Sequence, residues 1–385
     1  METRKLYYED CHIREFIATV TTCTQTEKGF LVELDATAFY PEGGGQACDL
    51  GALGDARVLD VREKEEQILH LCDKALPVGA SVAGTIDWER RLDLMQQHSG
   101  EHIVSGILNA MFGCHNVGFH IGADTVTIDF DTPAPPEALE EVERKANGAV
   151  YQNLPIRCWY PSPEELPAVA YRTKRALPWP VRIVEVPGYD TCACCGVHTA
   201  YTGEIGLIKL LSCVKFHQGV RIEMVCGERA RRFLSRVYEQ NRLVSQAFSA
   251  KILETGEAAR RMNEALAAEK FRAAGLEKQL FGQLAKNYVN RVNAVHFAEN
   301  LSPAAIRELA EQIAGYCSGI AAVFSGNDDA GYSVCLVSKS GSVAELGKLL
   351  TQTLGGRGGG KPGYFQGSIP MKKAQITELL QRANF

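Results

Sequence analysis

Between residues 5 and 90, apolar and polar positions alternate in short runs (FIATVTT, GFLVELDATAF, ARVLDV and SVAGTIDW) separated by glycine and charged turns. A period of two buries one face of a strand, so the pattern predicts a small antiparallel β-barrel over residues 1–90. After Asp93 the period changes. In DLMQQHSGEHIVSGILNAMF, Met95, Ile103, Ile107 and Met111 recur at helical spacing and predict a helix with one apolar stripe. TVTIDFD reads as a strand, and PPEALEEVERKANGAVYQN as a helix with proline at its opening and acids in its first turns. VRIVEV and EIGLIKLLSCVKFHQGVRIEMVCG return to strands, which completes an α+β domain over residues 91–228.

From Arg229 to about Asn290 the chain is rich in helix formers, leucine, phenylalanine and basic residues, with a break near Glu254, Thr255 and Gly256. A helical hairpin or short coiled coil over residues 229–290 is expected there as a spacer. Residues 291–385 alternate helices (PAAIRELAEQIAGYC, SVAELGKLLTQTL) with strands (GIAAVFSG, YSVCLVSK), the pattern of an α/β unit. The expected fold class is thus α+β and multidomain, and 385 residues are too many for one compact core.

Composition narrows the function. Hydrophobic residues at 45% and charged residues at 23% are those of a globular protein, and no apolar run of about 18 residues is present, so no membrane partner is expected. The opening METRKLYYEDCHIREF carries acids where an export signal needs an apolar segment, which points to a cytoplasmic location. The net charge of -5 hides an asymmetry. Residues 1–228 hold 20 Lys and Arg against 33 Asp and Glu, whereas residues 229–385 hold 21 against 13, a balance of +8. A basic C-terminal part suits a polyanion, although a solvated basic helix accounts for much of that excess.

Thirteen cysteines, an odd number, argue against a disulfide framework and for thiol or metal chemistry. On a helix, residues four apart share a face, so His98 and His102 of HSGEH present two imidazoles to one ion. The segment TCACCGVH supplies His198 and three cysteines, Cys192, Cys194 and Cys195. One of these with His198 completes a tetrahedral His3Cys set, but loop spacing alone does not choose among the thiols.

The order of GGGQ, HxxxH, CxxxH and TGEIG resembles the editing domain of alanyl-tRNA synthetase and its free-standing relatives, the AlaX trans-editing proteins. TAFYPEGGGQACDLG, QQHSGEH, CCGVHTAYTGEIG and GGRGGGKPGYFQG carry the likeness, the last resembling the signature of the DHHA1 module. The resemblance implies one zinc ion (Zn2+) per chain on His98, His102, Cys194 and His198. It also implies a hydrolase that deacylates tRNA(Ala) mischarged with serine or glycine. In that reading Thr37, Gly44, Gly45 and Gln46 touch the amino acid or the terminal adenosine, and Gln46 also takes a catalytic part. Cys195 stands where the family usually has glycine, which leaves a spare thiol beside the ligand. Glu101 stands where the synthetase form usually has a small residue or threonine; it either orients water as a general base or faces solvent.

Such an activity answers a physical need. A pocket sized for alanine cannot exclude glycine, and it gains only about 1–3 kcal/mol against an added hydroxyl, so a second site must do the sorting. The GGRGGGKP stretch offers backbone amides with Arg357 and Lys361, a combination suited to phosphate, and the basic C-terminal part is expected to dock tRNA or to form a homodimer. Two other readings are a non-catalytic zinc-containing tRNA-binding protein and a DHH-type phosphoesterase. The second requires consecutive histidines, which the chain lacks. With editing and C-terminal modules accounting for nearly the whole length, no aminoacylation domain is expected.

Overall fold

The computed structural model describes residues 2–173, 177 and 179–385, in two compact units, Met1–Arg242 and Leu243–Phe385. The first begins with six strands, β1 (Glu15–Thr26), β2 (Gly29–Leu34), β3 (Gly51–Leu53), β4 (Ala56–Lys64), β5 (Gln67–Cys72) and β6 (Ser81–Ile86). They pair antiparallel in the order β1-β2-β5-β4-β3-β6, and β6 pairs back onto β1 to close a ring. Strand β1 makes closure possible. Its first half pairs with β6, its second half pairs with β2, and a register shift between Val20 and Thr22 bends it from one partner to the other. The alternation seen in the sequence becomes inside and outside, as in β6, where exposed and buried residues follow each other without a break. Val32, Leu34, Phe39, Val61 and Ile68 fill the ring.

Helix α1 (Trp88–Phe112) follows, capped by the Asp87 side chain and ended by Gly113 at φ 66°. Its start is fixed to the ring by Arg91, which is wholly buried, bonds the carboxylate of Asp49 and donates to the Ala38 carbonyl. The sequence predicts a single apolar stripe on α1; the structure instead buries it nearly all round from Gln97 to Leu108. Small residues make this possible. A Cβ on Gly106 would lie 2.1 Å from the Tyr189 carbonyl oxygen, and one on Gly100 would lie 2.3 Å from Cys226 Sγ, so backbone approaches on two sides.

Around α1 lie β7 (Asn116–Ile121), β8 (Val126–Phe130), α2 (Leu139–Gln152), β9 (Arg157–Trp159), β10 (Ile183–Val186), β11 (Asp190–Ala193), β12 (Ile208–Phe216) and β13 (Gly219–Cys226). One sheet runs β12-β13-β8-β7 and a smaller one β9-β10-β11. Ile103, Val104 and Leu108 share a core with Val142 and Ala146 of α2 and with Ile128, Ile222 and Met224 of the larger sheet.

Helix α3 (Gly227–Phe248) contains the boundary between the units, and α4 (Thr255–Ala285) follows it. The break between the helices expected near Glu254, Thr255 and Gly256 spans residues 249–254, where Ser249 adopts φ 49° and the Ala250 amide turns back to the Ser245 carbonyl. The second unit continues with β14 (Ala294–Ala298), α5 (Pro303–Ile313), β15 (Ile320–Asn327), β16 (Gly331–Ser338), α6 (Ala344–Leu354), β17 (Arg357–Lys361), β18 (Tyr364–Ile369) and α7 (Lys373–Arg382). The sheet order is β14-β15-β16-β18-β17. One sheet face packs on α5 and the end of α4, the other on α6 and α7. The glycine-rich stretch whose amides, with Arg357 and Lys361, are expected to suit phosphate is edge strand β17, paired along its length with β18. Glycine suits that place: a Cβ on Gly360 would lie 1.9 Å from the Tyr364 carbonyl oxygen. Among the described residues no helix is long and apolar enough to cross a membrane.

Candidate metal centre and cleft

One side of α1 turns His98 and His102 toward the loop that leaves β11, and that loop brings Cys194 and His198. One ligand atom from each of the four lies within 4.8 Å of the others. His98 Nε2 stands 3.4 Å from Cys194 Sγ. The other ring nitrogens are already engaged. His98 Nδ1 donates to Gln46 Oε1 at 2.8 Å, His102 Nδ1 donates to Asp190 Oδ2 at 2.9 Å, and His198 Nδ1 is hydrogen-bonded with the Ser99 hydroxyl at 3.4 Å. The amide oxygen of Gln46 and the carboxylate of Asp190 only accept, so His98 and His102 keep Nε2 with a free lone pair, the arrangement seen around metal-ligating histidines. His198 Nε2 is buried with no hydrogen-bond partner among the described residues, as a ligand atom would be.

The electrostatics agree with that use. Burial alone would raise the Cys194 thiol, but the nearby His98 and His198 bring it well below the usual cysteine range, which favours the thiolate. Burial likewise works against a charged His102, but Asp190 outweighs it and raises the imidazole's basicity. Asp190 in turn receives two bonds from Arg172, at 2.7 and 2.8 Å. Those donors and His102 overcome the effect of burial and hold the carboxyl below its ordinary range. His198, with no such acid, is pushed down to about 3 by burial and the neighbouring His98. Three imidazoles and a thiolate with these partners fit a tetrahedral divalent ion such as zinc.

Gly196 is required by the packing. A Cβ there would lie 2.2 Å from His98 Cε1. The neighbouring thiols point elsewhere. Cys192 lies with His102 and Asp190, and Cys195 is exposed with its sulfur close to Gly44 of the GGGQ loop.

Beside the four residues opens a cleft of about 1010 Å³, lined by His98, Glu101, His102 and Cys194 together with Gly44, Gly45, Asn116, Tyr8 and Arg182. Glu101 is buried and does not face bulk solvent. Its Oε1 accepts from Ser105 Oγ and Asn116 Nδ2, which aims the carboxylate. Two expected contacts are placed differently. Thr37 is buried in the ring, where its hydroxyl donates to His70 Nε2 at 2.9 Å and accepts from the Phe39 amide, so it has no atom to offer a substrate. Gln46 is buried against His98 and does not line the cleft; its side chain orients the imidazole. Gly44 and Gly45, at φ 59° and 84°, do line it, and a Cβ on Gly45 would strike Phe119 at 2.6 Å.

In the second unit Arg357 and Lys361 lie exposed on β17, and Lys361 borders a hollow of about 330 Å³ at the start of α6. Sequence reasoning missed Asp190, Ser99, Arg172 and Arg182. Asp190 lies just before the cysteine-rich segment, and its acid so close to candidate ligands was the one available signal.

Comparison with known proteins places these features. Residues 2–90 match the family described as tRNA synthetases class II (A), and residues 181–238 match the Threonyl and Alanyl tRNA synthetase second additional domain. Residues 289–384 match the DHHA1 domain. The protein is thus a mixed α+β chain built from synthetase-type domains with a C-terminal DHHA1 domain. The relatives include Alanyl-tRNA editing protein Aarsd1 of Danio rerio, 26% identical over 98% of this chain and 97% of that protein. Alanine–tRNA ligase of Thermofilum pendens is 32% identical over 99% of this chain but only 44% of its own length. A crystal structure of the C-Ala domain from Aquifex aeolicus alanyl-tRNA synthetase matches 24% of this chain and 91% of its own, at 20% identity and a TM-score of 0.22. The chain carries a DHHA1 domain and is similar over nearly its whole length to proteins named alanyl-tRNA editing proteins.

Proposed function

We propose that the protein hydrolyses the ester linking serine or glycine to tRNA(Ala), acting in trans on tRNA charged elsewhere, at a centre holding one zinc ion on His98, His102, Cys194 and His198. The observation that carries this reading is the convergence of four ligand atoms at the side of an open cleft, with each histidine's other nitrogen already bonded. The editing function printed in the names of the full-length relatives agrees with it.

An aminoacyl ester is already labile, so a positioned water, a fixed carbonyl and donors for the developing oxyanion suffice. When bound, the ion supplies positive charge that organises the substrate at the cleft, and four protein ligands favour that organising part over hydroxide generation. Glu101 is the base. Ser105 and Asn116 hold one of its oxygens, and the carboxylate lines the cleft, where it takes the proton from the attacking water. Gly44 and Gly45, which also line the cleft, let backbone approach the ester closely. Arg357 and Lys361 on β17 suit contact with the tRNA backbone.

The test is deacylation of Ser-tRNA(Ala), Gly-tRNA(Ala) and Ala-tRNA(Ala) by the purified full chain. Release of serine or glycine well ahead of alanine, abolished in Cys194→Ala and His102→Ala, is the expected result. Binding of tRNA with no ester cleavage overturns the reading.

A further inference from the structure

Arg182 is a cation that the fold has desolvated without a carboxylate partner among the described residues. It is 9% exposed and lines the cleft, and among the described residues no carboxylate lies within ion-pairing distance. Lys174, Arg175, Ala176 and Pro178, which fall outside the described residues, bring no acid either. Among the described residues, the cleft's other Lys and Arg side chains contrast with it: Arg172 is paired with Asp190, and Lys5 with Glu63 at 2.6 Å. A desolvated guanidinium with no carboxylate beside it is costly, and a fold that keeps one at a cleft wall is prepared for an anionic ligand.

Its orientation is fixed. Nη1 donates to the carbonyls of Cys194 at 3.0 Å and Gly196 at 2.8 Å, and the Cys194 amide donates to the Arg182 carbonyl at 3.1 Å. The guanidinium carbon sits 4.4 Å from the centre of the Tyr8 ring, and Tyr8 itself donates to the Cys195 carbonyl at 2.5 Å. Arginine has five N–H donors, and those on Nη1 are the ones the loop uses. The planar edge that remains, Nε and Nη2, makes no hydrogen bond among the described residues. That edge suits two oxygens of a phosphate.

We infer that Arg182 binds the phosphate on the 5′ side of the substrate's terminal ribose, so that the cleft selects esters of a nucleic acid over esters of a bare nucleoside. This rests on the proposed deacylase reading for the identity of the substrate. The adjoining carbonyl belongs to Cys194, so the phosphate is held one residue's reach from the metal ligands, as a nucleotide esterified on its ribose requires. The rival anion is the oxyanion formed on the ester itself.

Two measurements on the full-length, zinc-loaded protein separate these. In the first, 5′-AMP and adenosine compete for Ser-tRNA(Ala) hydrolysis and are also titrated directly by calorimetry. Wild type is expected to favour 5′-AMP, and Arg182→Gln to remove the preference while leaving adenosine affinity unchanged. In the second, Arg182→Gln should lower kcat/KM on Ser-tRNA(Ala) by about 10- to 100-fold, the worth of charge-assisted bonds to phosphate, with Arg182→Lys in between. Hydrolysis of 2′(3′)-O-seryl-adenosine, which feels the loosened Cys194–Gly196 loop but carries no phosphate, should fall by a factor about tenfold smaller. Equal loss on both substrates, or loss of zinc, would mean that Arg182 only positions the loop or acts at the ester, and would overturn the inference. So would a wild type indifferent to the phosphate of AMP. Because the calorimetry needs no turnover, a protein that prefers AMP but spares the ester would refute the deacylase reading alone.

Discussion

The amide oxygen of Gln46 lies 2.8 Å from Nδ1 of His98 and so joins the GGGQ turn of the N-terminal ring to the centre built on α1. The oxygen can only accept, so the bond places the proton on Nδ1 and leaves Nε2 as the nitrogen turned to Cys194. The glutamine thus orients His98 from beneath the cleft instead of facing into it.

Gln46→Ala is therefore expected to weaken zinc binding by about 10- to 100-fold. Activity at saturating zinc should stay within a few-fold of wild type. Competition with a chromophoric chelator measures the first quantity, and deacylation with added zinc the second. Undiminished affinity with lost activity would return Gln46 to the substrate.

The ring and α1 are tied by a buried charge pair, Asp49 with Arg91, both fully excluded from solvent. Removing one partner leaves the other charge unmatched, so Asp49→Leu should cost about 3–5 kcal/mol in urea denaturation. The double change Asp49→Leu with Arg91→Met should recover much of that loss, whereas an additive double mutant would contradict the buried-pair account.

Much of the site's first layer is legible in the sequence because local geometry dictates it. His98 and His102 meet through the helical repeat alone, and the ring strands announce themselves by alternation. The next layer depends on contacts between distant segments. Asp190 bonds His102 across 88 positions, Ser99 bonds His198 across 99, and neither residue type is unusual where it stands. Thr37 was read as a substrate contact, but its true partner, His70, lies on a strand with no motif. The stretch from Arg357 to Lys361 illustrates tertiary override. Glycine has little strand preference, yet pairing with β18 draws it into the sheet as an edge strand.

His70 also makes stability depend on pH. Burial pushes its imidazole down to about 4, and its two nitrogens are engaged with the Val32 carbonyl and the Thr37 hydroxyl as a neutral ring. Its folded value lies below the unfolded one, so its contribution is complete above about pH 6.5 and is lost as pH falls toward 4. The loss amounts to about 3 kcal/mol over that window. His70→Gln should flatten the decline between pH 6.5 and 4 relative to wild type in urea titrations. An unchanged slope would mean that His70 does not titrate as described.

The most direct test of the whole account is a zinc titration of chelator-stripped protein, followed by the initial rate of serine release from Ser-tRNA(Ala). The rate is expected to rise linearly and to break sharply at one equivalent per chain, with Cys194→Ala flat throughout at low zinc. Full activity in the stripped protein, or a Cys194→Ala titration that overlays the wild type, would contradict a metal centre at these four residues.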